Sequence, residues 1–274
     1  MNFKHIPLAA LLLLLLGACD STGSRSDGIE VAIKALPIGA AHDHDDGHHA
    51  RQATAKHSSD SYVTFRRGDG MKIDLQLGLV NLVPVELQRC DSLAARLRRG
   101  LAPLSPLASA YAHAGHDGEA PEAAISVVEG QETSLGTLIA GAGRYCGLVV
   151  ELRPGTAAAK HGGGLDTTLD GVAVNVAPCY YPTTVGMSDE EAAAVTAHSC
   201  IQAKAQRATR RLTLPFADAV VLDAANMDLN VTVATHYEEW FEDIDFAALK
   251  DDAAQQARLA DNVVASLQAW TDRE

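Results

Sequence analysis

Between Ile73 and Leu87 the odd-numbered positions read Ile73, Leu75, Leu77, Leu79, Asn81, Val83, Val85 and Leu87, and seven of these eight are apolar. Lys72, Asp74, Gln76, Glu86 and Gln88 fall on the other parity. A repeat of two sends alternate side chains to opposite faces of an extended chain, so one face is buried and the other is wet. The pattern predicts a half-buried antiparallel strand, or two strands joined near Asn81 to Pro84, because proline cannot donate to a ladder. Such a face must be covered by a second layer.

Other segments repeat the theme. Ile125–Val128, Leu148–Leu152, Val172–Val176, Arg211–Phe216 and Leu229–Val233 are short apolar or alternating runs between Gly, Pro and Asp. Asp170-Gly171 is a hairpin-turn signal. The apolar interlude Ile29–Ile38 reads as a first edge strand. Many short strands with turn residues between them predict a mainly β protein, an antiparallel β-sandwich. One short helix is expected where Ser188-Asp189-Glu190-Glu191 forms a capping box, running toward Cys200 and carrying His198. A C-terminal helix is expected after Asp245, with Leu249, Ala253, Gln256, Ala260, Val263, Val264, Leu267 and Trp270 on one face. Trp240, Phe241, Ile244 and Phe246 read as the aromatic plug that docks it. Residues 100–124 read as a long loop, broken by Pro103, Pro106 and Pro121.

The N-terminus addresses the chain. Lys4 and His5 precede an unbroken apolar run from Leu8 to Leu16, and Leu16-Gly17-Ala18-Cys19 has the form of a bacterial lipobox. The run is about half the length needed to cross a bilayer, which takes roughly 20 residues. The expectation is a signal peptide over 1–18, lipidation at Cys19, a flexible His-rich tether over 19–60 and a folded domain over 61–274. The mature chain is then periplasmic and held to the inner or outer membrane by its acyl anchor. The formal charge of −13 becomes −14 once Lys4 leaves with the leader, and such a surface repels phosphate backbones, which argues against nucleic-acid partners.

Setting Cys19 aside leaves Cys90, Cys146, Cys179 and Cys200. An even count in an oxidising compartment suggests two disulfides with three possible connectivities. Cys179–Cys200 with Cys90–Cys146 is favoured, because the first closes a local loop. A thiolate metal site competes poorly, since there is no Cys-x-x-Cys pair and oxidation removes the thiolates. For the same reason a nucleophilic Cys200/His198 pair is disfavoured.

The chemical signal in the remainder is histidine placement. Of 11 histidines, five lie between His42 and His57 in a stretch interleaved with Asp43, Asp45 and Asp46. Neutral imidazole suits Zn, Cu and Ni, and a His-rich segment can fold around such an ion. His42, His44, His48 and His49 are the candidate ligands, with His113 and His116 of a His-x-x-His spacing as a second set. The competing account is a solvated spacer. Gly141-Ala142-Gly143-Arg144-Tyr145-Cys146 approaches a dinucleotide fingerprint but ends in Cys146, and Gly162–Gly164 lacks the Lys-Ser/Thr of a P-loop. His-Glu-x-x-His and Gly-x-Ser-x-Gly are absent. The acidic residues Glu238, Glu239, Glu242, Asp243 and Asp245 read as a solubilised turn and a helix cap, with a hydrolase as the least favoured alternative.

The exported leader, four mature cysteines, Gly143-Arg144-Tyr145 leading into Leu148–Leu152, and Tyr237-Glu238-Glu239-Trp240-Phe241 resemble the MbnP-like periplasmic proteins. That group is associated with copper handling and often paired with a di-haem partner. The resemblance implies a β-sandwich, a metal-related setting and a protein partner. The chain departs from the group in its His-rich tether and cysteine contexts, so no ligand or catalytic residue is carried over. The expected function is a non-enzymatic, lipid-anchored envelope protein that binds a transition metal for delivery or buffering. The alternative is an envelope scaffold or partner-binding lipoprotein.

Overall fold

The computed structural model describes residues 28–39, 62–90, 124–155, 165–195, 197–225 and 227–272. In chain order the strands are β1 (Ile29–Ile38), β2 (Val63–Arg66), β3 (Lys72–Arg89), β4 (Ala124–Ser126), β5 (Thr133–Ala140), β6 (Gly143–Leu152), β7 (Val174–Tyr181), β8 (Ser199–Cys200), β9 (Ala203–Ala205), β10 (Arg210–Leu222), β11 (Leu229–His236) and β12 (Leu267–Thr271). Helices α1 (Asp189–Ala194), α2 (Phe246–Leu249) and α3 (Ala253–Ala265), with a 3-10 turn over Tyr237–Phe241, complete the described elements. The strands form two packed sheets, one of order β12-β11-β1-β5 and a larger one of order β10-β6-β3-β7-β8, to which β2, β4 and β9 add. The fold is mainly β and sandwich-like, with helices near the C-terminus.

The period-two stretch is a single 18-residue strand, β3. Its first half pairs β7 and its second half pairs β6, with irregularities between Leu75 and Leu77 and between Pro84 and Glu86. A bulge inserts one unpaired residue and turns the side chains beyond it to the opposite face. Ile73 and Leu75 therefore join the inter-sheet core, and past the first bulge Val80 and Leu82 take over that role. Leu77 and Leu79 instead pack with Leu169, Val172 and Ala177 in a second cluster. Leu87 returns to the main core past the second bulge. Pro84, which has no N–H to offer, sits where the ladder is already interrupted.

β1 is an inner strand, not an edge. It pairs β11 in parallel and β5 in antiparallel register, so one pair of this sandwich is parallel. Val31, Ile33 and Ala35 are buried. The folded body accordingly takes in residues 29–38, which the sequence places in the tether. β5 carries no alternating pattern: its pairing with β1 slips at Ile33/Lys34, and Leu135 and Leu138 are both buried at a spacing of three, not two.

The capping box at α1 is present: Ser188 N donates to Glu191 Oε2 at 2.8 Å and Glu191 N donates to Ser188 Oγ at 3.2 Å. This helix stops at Ala194, so His198 and Cys200 lie beyond it, beside and on a strand. In α3, Leu259, Ala260 and Val263 are buried, and the helix ends at Ala265. Leu267 and Trp270 belong to β12, whose alternation is only five residues long. The aromatic plug is real: Phe241 packs on Phe246 at 5.6 Å and Phe65 at 5.9 Å, and Tyr180 stacks on Phe246 at 4.8 Å. Trp240 is wholly buried, and its Nε1 donates to Thr235 Oγ1 and Ser266 Oγ, each at 3.0 Å.

Candidate functional site

Among the described residues, a grouping of chemistry-bearing side chains lies where β2, β3, β7 and β8 run side by side. Ladder registers put it there. Thr64 faces Asp74, Asp74 faces Cys179, Lys72 faces Tyr181, and Cys179 faces Cys200. Ile201 N donates to Pro178 O at 3.1 Å, which makes Cys179 and Cys200 a non-hydrogen-bonded pair, the kind whose side chains stand closest. Their Cα atoms are 4.0 Å apart and their sulfurs are bonded. Cys179 is 2% exposed, whereas Cys200 is exposed at the sheet edge.

Asp74 is buried and fully engaged. Tyr181 Oη donates to Oδ2 at 2.7 Å, Thr64 Oγ1 donates to Oδ1 at 2.7 Å, and Lys72 Nζ lies 3.8 Å from Oδ2. Lys72 Nζ also sits 4.3 Å from the centroid of the Tyr181 ring, a cation–π contact. On the same ring the imidazole of His198 packs at 5.0 Å. Burial first, and the hydrogen bond to Asp74 second, push the Tyr181 hydroxyl up to about 12. A ring nitrogen of His198 and the two sulfurs lie within 4.8 Å of one another.

That trio corrects the metal-binding role. Cys179, His198 and Cys200 form the metal-sized cluster among the described residues, but both sulfurs are spent on one another in a disulfide. A metal takes thiolate, and a disulfide sulfur carries no such charge. One imidazole remains, which is no site for Zn, Cu or Ni, and neither the transition-metal cofactor nor the delivery or buffering role is retained. The expected ligands His42, His44, His48, His49, His113 and His116 lie outside the described residues, as does Cys19.

The cysteine pairing is the expected one, with Cys90–Cys146 bonded between the end of β3 and β6. The acidic turn holds structure together. Asp245 caps α2 by accepting from Ala247 N at 3.0 Å, and Glu242 accepts from Gly68 N at 3.2 Å. Arg67 Nη1 donates to Ile244 O at 2.7 Å and to Phe241 O at 3.2 Å, tying the β2–β3 turn to the aromatic plug. No motif or spacing singles out Thr64, Asp74 or Tyr181. Asp74 has the wet parity of its strand, and only the neighbouring strands β2 and β7 cover it.

Beside the cluster, the turn between β7 and α1 is held rigidly. Thr183 Oγ1 donates to Gly70 O at 2.8 Å and accepts from Lys72 N at 2.7 Å, and Arg66 Nη1 donates to Met187 O at 3.0 Å. The turn holds Val185 72% exposed. No family model, curated protein or solved structure matches the chain.

Proposed function

We propose that the chain is an exported, lipid-anchored, non-enzymatic module of the bacterial cell envelope that binds a protein partner. The observation that carries this is the pairing of Cys90 with Cys146 and of Cys179 with Cys200, which accounts for four of the five cysteines and sets Cys19 apart from both pairs. Structural disulfides persist in oxidising compartments. A cysteine kept apart from them, directly after an apolar leader and two small residues, is the residue that lipidation requires. The described polar side chains largely serve the fold: Asp74 clamps β2 to β7, Asp245 caps a helix, and Arg67 holds the aromatic plug. What such a body offers a partner is surface, and the turn presenting Val185 is the face we nominate.

The test is expression with the native leader. The chain should enter the membrane fraction and take up a palmitate label, and Cys19→Ser should abolish both. A photo-crosslinker placed at position 184 should give one discrete protein adduct in cells, and Val185→Asp should abolish it. A chain found in the cytoplasm with free thiols at Cys90, Cys146, Cys179 and Cys200 overturns the localisation. An adduct undiminished by Val185→Asp, or no adduct from correctly anchored chain, overturns the nominated face.

A further inference from the structure

The two disulfides are not equivalent. Cys90–Cys146 joins the residue that follows the long strand β3 to the long strand β6, and both of its residues are half-buried. Cys179–Cys200 joins β7 to a strand of two residues at the sheet edge, with one sulfur-bearing residue buried and the other exposed. Thiol–disulfide exchange needs an accessible sulfur to attack and a leaving thiolate that is stabilised. Cys200 supplies the first. For the second, the His198 ring nitrogen stands within 4.8 Å of the sulfurs and can donate to the departing one. Tyr181, itself fixed by Asp74, holds the imidazole plane at 5.0 Å.

We propose that Cys179–Cys200 is a redox-active site that accepts two electrons from a dithiol, with His198 as the acid for the leaving sulfur and Tyr181 as a positioning residue. The thiolate of the dithiol attacks Cys200 Sγ. A bond forms between the incoming sulfur and Cys200 Sγ, the Cys179–Cys200 bond breaks, and its electron pair goes to Cys179 Sγ, which takes a proton from the His198 ring. The second thiol of the dithiol, as its thiolate, then attacks the incoming sulfur and expels Cys200 as thiolate. The dithiol leaves as a disulfide and its two electrons end on Cys179 and Cys200, while the two protons it lost on becoming a dithiolate pass through water, one to the Cys200 thiolate and one to restore His198. Next to this edge β9 pairs Ala203–Ala205 with Val174–Val176, a ladder that does not depend on the Cys179–Cys200 bond. This stands apart from the membrane anchor and from the partner face at Val185.

Tyr181 on β7 and the disulfide sulfurs face His198, and Lys72 and Asp74 of β3 and Tyr62 lie around the tyrosine. The experiment exposes the full chain to dithiothreitol, quenches with N-ethylmaleimide and maps the alkylated cysteines. Cys179 and Cys200 should be alkylated at least about tenfold faster than Cys90 and Cys146, with near-ultraviolet circular dichroism unchanged. With glutathione as a monothiol, the mixed disulfide should form on Cys200 and not on Cys179. His198→Ala should lower the rate about tenfold at neutral pH, the size expected when a leaving thiol loses a neighbouring proton donor. Reduction of both disulfides together and only with unfolding overturns the proposal, as does an adduct on Cys179. A His198→Ala variant that keeps the wild-type circular dichroism and is reduced at the wild-type rate does so too.

Discussion

Tyr181 on β7 and Asp74 on β3 share a 2.7 Å hydrogen bond in which the phenol donates to a buried carboxylate, and Thr64 on β2 supplies the second donor. Three strands are thus tied by one side chain. The tyrosine hydroxyl, raised to about 12 in the folded chain, ionises near 10 when unfolded. A raised pKa means that its contribution to stability is fully present below about pH 10 and is lost as pH rises from about 10 to about 12. Absorbance at the phenolate band should show late-titrating tyrosines, and Tyr181→Phe should remove one of them. That variant should cost about 1–3 kcal/mol in urea denaturation, the range for a hydrogen bond to a charged group. Tyr237, raised to about 12 chiefly by burial and secondarily by Glu238, accounts for another late titration.

Asp166 shows the opposite sign. The Lys204 ammonium hydrogen-bonded to it, together with Thr168, holds its carboxyl down to about 2. A depressed pKa contributes stability above the ordinary carboxylate value, and this is lost as pH falls from about 4 through about 2. Carboxyl chemical shifts should place Asp166 among the last acids to protonate. Lys204→Met should raise its midpoint, and an unchanged midpoint would refute the pairing.

Trp240 anchors the turn between β11 and α2. Its indole is fully buried, and its N–H meets the two hydroxyls of Thr235 and Ser266. Trp240→Ala should cost about 3–5 kcal/mol by cavity formation. In fluorescence, Trp240→Phe should remove the blue-shifted emission and leave that of half-buried Trp270.

Gly70 has φ of +85°, and a Cβ there would lie 2.3 Å from Val185 N and 2.4 Å from the Thr184 carbonyl carbon. Both atoms are backbone and cannot swing aside. Gly70→Ala should destabilise by about 1–3 kcal/mol and displace the turn that presents Val185. A melting temperature equal to that of the wild type would show that this approach is not rigid.

The two disulfides close loops of different length, with sequence separations of 56 for Cys90–Cys146 and 21 for Cys179–Cys200. Chain entropy assigns about 4 kcal/mol to the first and about 3 kcal/mol to the second. Double serine variants compared by denaturant midpoint should rank in that order.

Much of the sandwich is legible in the sequence because short alternating runs carry their own period. β4, β6, β10 and β11 fall on segments picked out by alternation or apolar runs. β5 and β12 escape for different reasons. The slip opposite Ile33/Lys34 breaks the rhythm of the first, and five residues are too few to distinguish the second from the end of α3. The expected helix face included Leu267 and Trp270, but the helix ends at Ala265. Ser266, its cap, donates its Oγ to Val263 O at 2.8 Å, and an extended strand comes next. The grouping of Thr64, Asp74, Tyr181 and His198 is invisible in one dimension, because each reads as an ordinary polar or aromatic residue until ladder register places them side by side.

Local chemistry alone pointed to an extended Ile73–Leu87 with one buried face, to two disulfides among four cysteines, and to a helix starting at Ser188. Period, cysteine count and capping are properties of the chain itself, so they can be read along it. Which leucines of β3 face which cluster was settled by sheet pairing, since two bulges reverse the parity of the strand and a bulge exists only against a partner. Pairing likewise bound the sulfurs near His198 to each other instead of to a metal, because the register of β7 on β8 sets Cys179 opposite Cys200.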